Sequence, residues 1–106
     1  MAESADLERL RARVREFAAE RGWDRVRTLK DLSLAIGIEA GELQELFLWV
    51  AADDEAGLLA ERRGAIEEEL ADVFLYCLAL ADRIDTDLLA AANAKMDANE
   101  RRFPRP

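Results

Sequence analysis

The sequence predicts an all-α protein. Ala, Leu, Glu and Arg dominate the composition, and all four tolerate or favour helix. Only two prolines and five glycines interrupt 106 residues. Apolar residues recur at the spacing of one helix face, about 100° per residue, along most of the chain. With 51% hydrophobic residues the chain has the apolar surface to fold rather than stay disordered. Its length suits a single domain, residues 1–106, around one modest core. No internal repeat, linker or low-complexity segment breaks it.

Four main helices follow from the pattern. The first is expected from about Ser4 or Asp6 to Arg21, with Ser4 as N-cap and Leu7, Leu10, Val14, Phe17 and Ala18 as its stripe. Gly22 ends it, and Trp23 to Arg27 form a connection. The second is expected from Thr28 or Leu29 to Val50, with a stripe of Leu32, Ile36, Leu43, Leu46, Phe47 and Val50. Gly37 and Gly41 lie inside it, and each costs about 1 kcal/mol against alanine there. That cost suggests close approach of a neighbour or ligand. Ala51 to Gly57 is a polar connection, and Leu58 to Arg62 a short helical turn. The third main helix is expected from Arg63 or Ala65 to Arg83, with Ile66, Leu70, Val73, Cys77, Leu80 and Ile84 on one face. Asp85 or Thr86 caps the fourth, which reaches about Arg102 before the tail containing Pro104 and Pro106.

The net charge of -8 argues against a nucleic acid polymer as partner, since such proteins need a basic surface. It leaves room for a nucleotide whose phosphates a metal screens. There is no histidine, so the commonest general base and the commonest transition-metal ligand are missing. A metal here meets oxygen ligands, which favours Mg²⁺, with Mn²⁺ as a substitute. The single cysteine, Cys77, lies on an apolar face and reads as a small buried hydrophobe. No h-region of a signal peptide follows Met1, and no apolar run approaches the ~18 residues of a membrane span. The expectation is no membrane association and a cytoplasmic location.

Two acidic pairs break the greasy faces. Glu39 falls inside the stripe of the second helix with Glu42 at its edge, and Glu69 lies at the margin of the third helix's stripe with Asp72 just beyond. A carboxylate facing a core is costly unless a cation or donors compensate it. The second and third helices should pack antiparallel through their short connection, and an i,i+3 pair occupies one face. The two pairs can then form a carboxylate cage for a divalent metal. Spacing alone is weak: Glu42/Glu45, Asp82/Asp85 and Asp97/Glu100 repeat it, and any one such pair is ordinarily a solvated face. Glu67 and Glu68 suit an exposed position near a helix N-terminus.

Four blocks in order, EFAAERGW (residues 16–23), IEAGELQELFLW (38–49), EEELADVFLYCLAL (67–80) and AKMDANERRFP (94–104), resemble the MazG-like nucleotide pyrophosphohydrolases. The resemblance is closest to the dCTP pyrophosphatase branch of the all-α NTP pyrophosphatase superfamily and runs from about Leu7 to Pro104. The family pattern ExxE…ExxD reads Glu39-x-x-Glu42 and Glu69-x-x-Asp72 here. The resemblance implies a four-helix bundle of that superfamily's type, assembling as a dimer or a dimer of dimers. It implies Mg²⁺-dependent hydrolysis of a nucleoside triphosphate, dCTP or a modified dCTP, to the monophosphate and pyrophosphate, as cleansing of the nucleotide pool.

On this resemblance Glu39, Glu42, Glu69 and Asp72 are the metal ligands, with Glu39 or Glu42 as the alternative handler of the attacking water. Lys95 matches a family lysine and contacts phosphate. Asn99 contacts phosphate, sugar or base, and Asp97 orients Lys95 or Asn99. Arg102 is a further phosphate candidate against a surface ion pair, and Lys30, early in the second helix, can also reach phosphate. Trp23 and Trp49 match aromatic positions; a tryptophan face can stack a base or fill a core or subunit contact. Tyr76, one turn beyond Asp72, can place its hydroxyl on a ligand or simply pack. Val14 and Arg27 stand where members resembling the animal enzymes carry histidines, so the base preference stays open. Phe103-Pro104 replaces a common Tyr-Pro.

A chain this short leaves apolar surface over, which invites self-association. The expectation is a homotetramer, with a dimer as fallback. Two other functions compete: the same chemistry on dUTP, dATP or a broad set of triphosphates, and a non-catalytic acidic helical oligomer that binds metal or a partner protein.

Overall fold

The computed structural model describes residues 2–106, with side chains described from Ala5 onward. Every element among the described residues is helical. They are α1 (Ala2–Glu20), the single turn α2 (Trp23–Val26), α3 (Leu29–Glu45), a 3₁₀ turn (Ala52–Asp54), α4 (Glu55–Arg83) and α5 (Leu88–Arg102). The all-α expectation stands, and several boundaries move.

α1 starts ahead of Ser4, which is therefore inside the helix rather than its cap; the Ser4 side chain lies outside the described residues. Gly22 ends the segment at φ 71°, a left-handed conformation that glycine adopts without steric cost. α3 opens with a capping box. Thr28 Oγ1 accepts from the Asp31 amide at 3.0 Å, and an Asp31 carboxylate oxygen accepts from the Thr28 amide at 3.0 Å. Those hydrogen bonds, first the one from the Thr28 backbone, hold the Asp31 carboxyl below its usual range.

α3 stops at Glu45 instead of running to Val50. Leu46 to Trp49 turn out of the helix through short-range bonds such as Leu46 N to Leu43 O and Phe47 N to Gln44 O. Four consecutive apolar residues cannot all face one side of a helix, and the turn distributes them. α4 begins at Glu55, so the expected turn at Leu58–Arg62 belongs to it. Arg62, at φ -124° and ψ 18°, kinks the helix where the separate segment was expected to end.

Asp85 does not cap α5. It sits at φ 55° just beyond α4, where the Asp85 amide bonds Asp82 O at 3.1 Å and the Thr86 amide bonds Ala81 O at 2.9 Å. That is a Schellman closure with aspartate in the left-handed position usually held by glycine. Asp87 is the N-cap of α5, accepting from the Ala90 amide at 3.0 Å.

α3 packs along α4 over the greatest length, α1 crosses α4, and α2 rests on α1. Leu32 shares a cavity wall with Leu75 and Ala79, while Glu39 meets Glu69 and Asp72, so α3 and α4 run antiparallel. Leu32, Ile66, Leu78 and Ala81 are the buried residues of the described core. Leu78 and Ala81 lie off the predicted stripe of α4, and Leu70 and Ile84, on that stripe, are half exposed. α4 serves two neighbours and buries more than one face. Gly37 and Gly41 border open space: among the described residues nothing lies within 4 Å of where a side chain would begin.

α5 packs extensively against no other element among the described residues. The expected all-α bundle is present, with α1, α3 and α4 in the most extensive contact and α5 following α4. The radius of gyration is 16.7 Å, against about 13 Å for a compact domain of this length.

Candidate functional site

Antiparallel packing of α3 on α4 brings the two acidic pairs together. One carboxylate oxygen each from Glu39, Glu69 and Asp72 lies within 4.8 Å of the others. All three residues are half-buried. Glu39 Oε2 and Glu69 Oε2 are shielded from water and accept no hydrogen bond. An acceptor in that condition has lost its hydration without a replacement donor. Glu42 is exposed and outside this trio, yet its charge reaches both Glu39 and Glu69.

The electrostatics follow from the crowding. Loss of hydration, then the nearby Glu42 carboxylate, with Asp72 and Glu69 adding repulsion, pushes the Glu39 carboxyl up to about 7. Glu69 is raised for the same first cause, followed by repulsion from Glu42. Like charges this close resist joint ionisation. A divalent cation bound by oxygen ligands removes the conflict, and an all-carboxylate set is the donor chemistry suited to Mg²⁺ or Mn²⁺. The two unpartnered oxygens are acceptors a cation would satisfy, so the residues fit the metal.

Asp72 also lines a cavity of about 560 Å³ between α1, α2 and α4. Its walls include Phe17, Trp23, Arg27 and Tyr76. Phe17 and Trp23 meet edge to face, with ring centroids 5.4 Å apart at 67°, and this fixes the Trp23 ring. The Arg27 guanidinium lies 4.1 Å from the Trp23 ring centroid and 5.8 Å from that of Tyr76. Val14 contributes an apolar patch to the same wall. Aromatic faces and a few polar groups beside a charged centre form a site for a flat heterocycle attached to an anion.

The remaining candidates lie elsewhere in the single chain. Lys30 is exposed in the first turn of α3. Trp49 is 91% exposed in the turn after α3. Lys95 and Asp97 are exposed on α5, Asn99 is half-buried there, and Arg102 turns toward Phe103, its Cζ 5.0 Å from the ring centroid. α5 makes no extensive contact with α3 or α4 among the described residues, so Lys95, Asp97, Asn99 and Arg102 are not joined to the carboxylate cluster within one chain.

Asp82 departs from the solvated face expected of the Asp82/Asp85 pair. Its side chain is 15% exposed. It accepts from Arg15 Nε at 3.0 Å and from Arg11 Nε at 3.2 Å, and Arg11 Nη1 donates to Thr86 O at 2.9 Å. This Asp82 cluster carried no assigned role in the sequence, and Arg27 entered there only as a replacement for a histidine of members resembling the animal enzymes. The Asp82 partners are 67 and 71 residues away in the chain, so no local pattern announces them.

Residues 34–106 match the MazG-like family. The chain is 46% identical over 102 residues to dCTP pyrophosphatase 1 of Bos taurus and 45% identical over 101 residues to that of Homo sapiens. Each match covers 93% of this chain and 58% of the relative, so the chain spans less than two thirds of the length of these relatives. A crystal structure of a pyrophosphatase from Archaeoglobus fulgidus superposes with a TM-score of 0.89 at 40% identity, covering 94% of each chain.

Proposed function

The chain belongs to the MazG-like family, and from that premise we propose that it is a Mg²⁺-dependent nucleoside triphosphate pyrophosphohydrolase. The proposed substrate is dCTP or a modified dCTP, and the products are the monophosphate and pyrophosphate. The observation that carries this is the convergence of Glu39, Glu69 and Asp72 beside an aromatic cavity that Asp72 also lines. The names of the relatives support the choice of dCTP.

Glu39, Glu69 and Asp72 would hold the cation with their converging oxygens. When bound, Mg²⁺ supplies charge neutralisation on the phosphate oxygens and activation of water for attack on phosphorus. Glu42 stands next to the trio with its carboxylate open to solvent, a position suited to orienting the attacking water and accepting its proton. Trp23 offers a face for the base, and Phe17 holds that face in place. Tyr76 offers its hydroxyl at the cavity wall. Lys30, Lys95, Asn99, Arg102 and Trp49 complete the proposed substrate contacts.

Those on α5 reach the cluster when a second copy supplies them, and the same surface argues for self-association. Leu34 and Ile38 of α3 and Leu70 and Phe74 of α4 are 45–62% exposed, and burying such side chains contributes about 1.5–3 kcal/mol each. A homotetramer, with a dimer as fallback, covers them and gives α5 a partner. Sedimentation of the purified protein should show one of these; monomer alone at micromolar concentration contradicts the assembly. The function entails a cytoplasmic location, where the nucleotide pool is.

Incubation with a panel of canonical and modified triphosphates, with and without Mg²⁺, tests the activity. Metal-dependent formation of monophosphate and pyrophosphate, greatest with dCTP-type substrates, is expected. Turnover concentrated on dUTP or dATP keeps the chemistry and replaces the substrate. No turnover by folded protein makes a non-catalytic acidic oligomer the better description.

A further inference from the structure

Of the four arginines that line the cavity beside Asp72, namely Arg13, Arg15, Arg27 and Arg83, only Arg27 is half-buried; the others are exposed. No carboxylate lies within ion-pair distance of Arg27 among the described residues. Its backbone is fixed on both sides. The Arg27 amide bonds Trp23 O at 2.9 Å, closing α2, and the next residue, Thr28, opens the capping box of α3. Its Cζ lies over the Trp23 ring, 4.1 Å from the centroid. None of the side-chain hydrogen bonds among the described residues uses its N–H donors, which leaves the planar fork to a ligand. A guanidinium donates only and accepts nothing.

We infer that Arg27 is a specificity-determining residue, which selects among bases through two adjacent hydrogen-bond acceptors on the base edge. This rests on the cavity taking the base of a nucleotide, as proposed above. A donor fork needs two acceptors side by side. Guanine has them in O6 and N7, and cytosine in O2 and N3. Adenine sets an amino group beside N7 and beside N1. Thymine and uracil separate their carbonyl oxygens by an N–H. Arg27 therefore favours cytosine and guanine and disfavours adenine, thymine and uracil. Cavity shape chooses between the two favoured bases. Lysine cannot reproduce the fork, so the preference belongs to the guanidinium and not to its charge.

The test is calorimetric binding of dCMP, dGMP, dAMP and dTMP to the full chain, to Arg27→Met and to Arg27→Lys, with circular dichroism checking that each is folded. The unmodified protein should bind at least one of dCMP and dGMP roughly tenfold more tightly than dAMP and dTMP, the size of one good bidentate contact. Both variants should lose most of that ratio. A ratio retained in either variant overturns the assignment. So does an equal fall for all four nucleotides, which marks a phosphate contact, and so does a protein that prefers none of them or binds none. Triphosphate turnover by the unmodified protein, measured alongside, reports on the parent activity separately, because monophosphate binding involves no hydrolysis.

Discussion

Asp72 and Asp82 stand on the same helix, α4, and neither is fully exposed, yet their surroundings are opposite. Asp72 faces Glu39 and Glu69, with Glu42 close by, and no arginine or lysine pairs with any of them among the described residues. Asp82 faces two arginines from α1, whose hydrogen bonds, Arg15's foremost, hold its carboxyl below the usual range against partial burial. Around Asp72 the carboxyls are pushed up, Glu39 to about 7. One acid is satisfied by the fold and binds α1 to α4. The other belongs to a group that the fold brings together and leaves uncompensated. Carboxyls raised together without an internal partner mark a candidate site for an external one.

The largest effect expected from this contrast is on catalysis. Glu39→Gln or Glu69→Gln should reduce pyrophosphate release by on the order of 100-fold or more, beyond what loss of an outer-shell metal contact costs. Metal-free stability in urea should stay level or rise, because one repelling charge is gone. Clear destabilisation with activity retained would erase the distinction between the two acids.

Asp82→Asn should do the reverse. It leaves Arg11, whose side chain is 11% exposed, without its carboxylate. We expect a loss of about 2 kcal/mol in urea unfolding, discounted for the exposed Arg15. Mg²⁺ affinity at a temperature where the variant is folded should not change.

The pH response separates the regions further. Glu39 has a folded value raised from 4.5 to about 7, so the native state holds a proton that the unfolded chain gives up. Metal-free stability should therefore fall as pH rises through about 4.5 to 7. Glu39→Gln should flatten that slope. With saturating Mg²⁺ the trend should reverse, since the cation binds the ionised cluster. At Asp82 the folded value is depressed, so its contribution is present above the ordinary value of 3.8 and is lost as pH falls through the lower folded value. Stability at fixed temperature across pH 3–8 shows both arms.

The smallest effect on urea unfolding is expected from Arg15→Ala, because the arginine side chain is 57% exposed and solvent screens its pairing. A larger loss than at Arg11→Ala would reverse the order of importance within the Asp82 cluster.

Much of this contrast is legible in the sequence at one site and invisible at the other. Glu39 interrupts an apolar stripe, which local periodicity shows; the i,i+3 spacing recurs elsewhere in the chain, and it is the resemblance to the MazG-like family that singles out the ExxE and ExxD pairs. Asp82 shares its i,i+3 spacing with Asp85 and looks the same as any solvated pair, because its partners come from α1. The single-stripe reading of α4 misses Leu78 for a related reason: the helix buries a face against α1 as well as against α3. Leu46 to Trp49 carry neither Pro nor Gly to stop a helix, so nothing in the local sequence announces the end of α3 at Glu45. Asp85 and Asp87 are both good cap residues, and only the left-handed turn at Asp85 decides which serves α4 and which α5.

The central claim, that the α3–α4 carboxylates are a cation site and the Asp82 cluster a structural one, is tested most directly by calorimetric titration of Mg²⁺ into the metal-free protein at pH 7.5, with Glu69→Gln and Asp82→Asn alongside. Saturable binding by the unmodified protein and by Asp82→Asn, lost in Glu69→Gln, is the predicted result. Binding that survives in Glu69→Gln, or no binding by the folded unmodified protein, would contradict it.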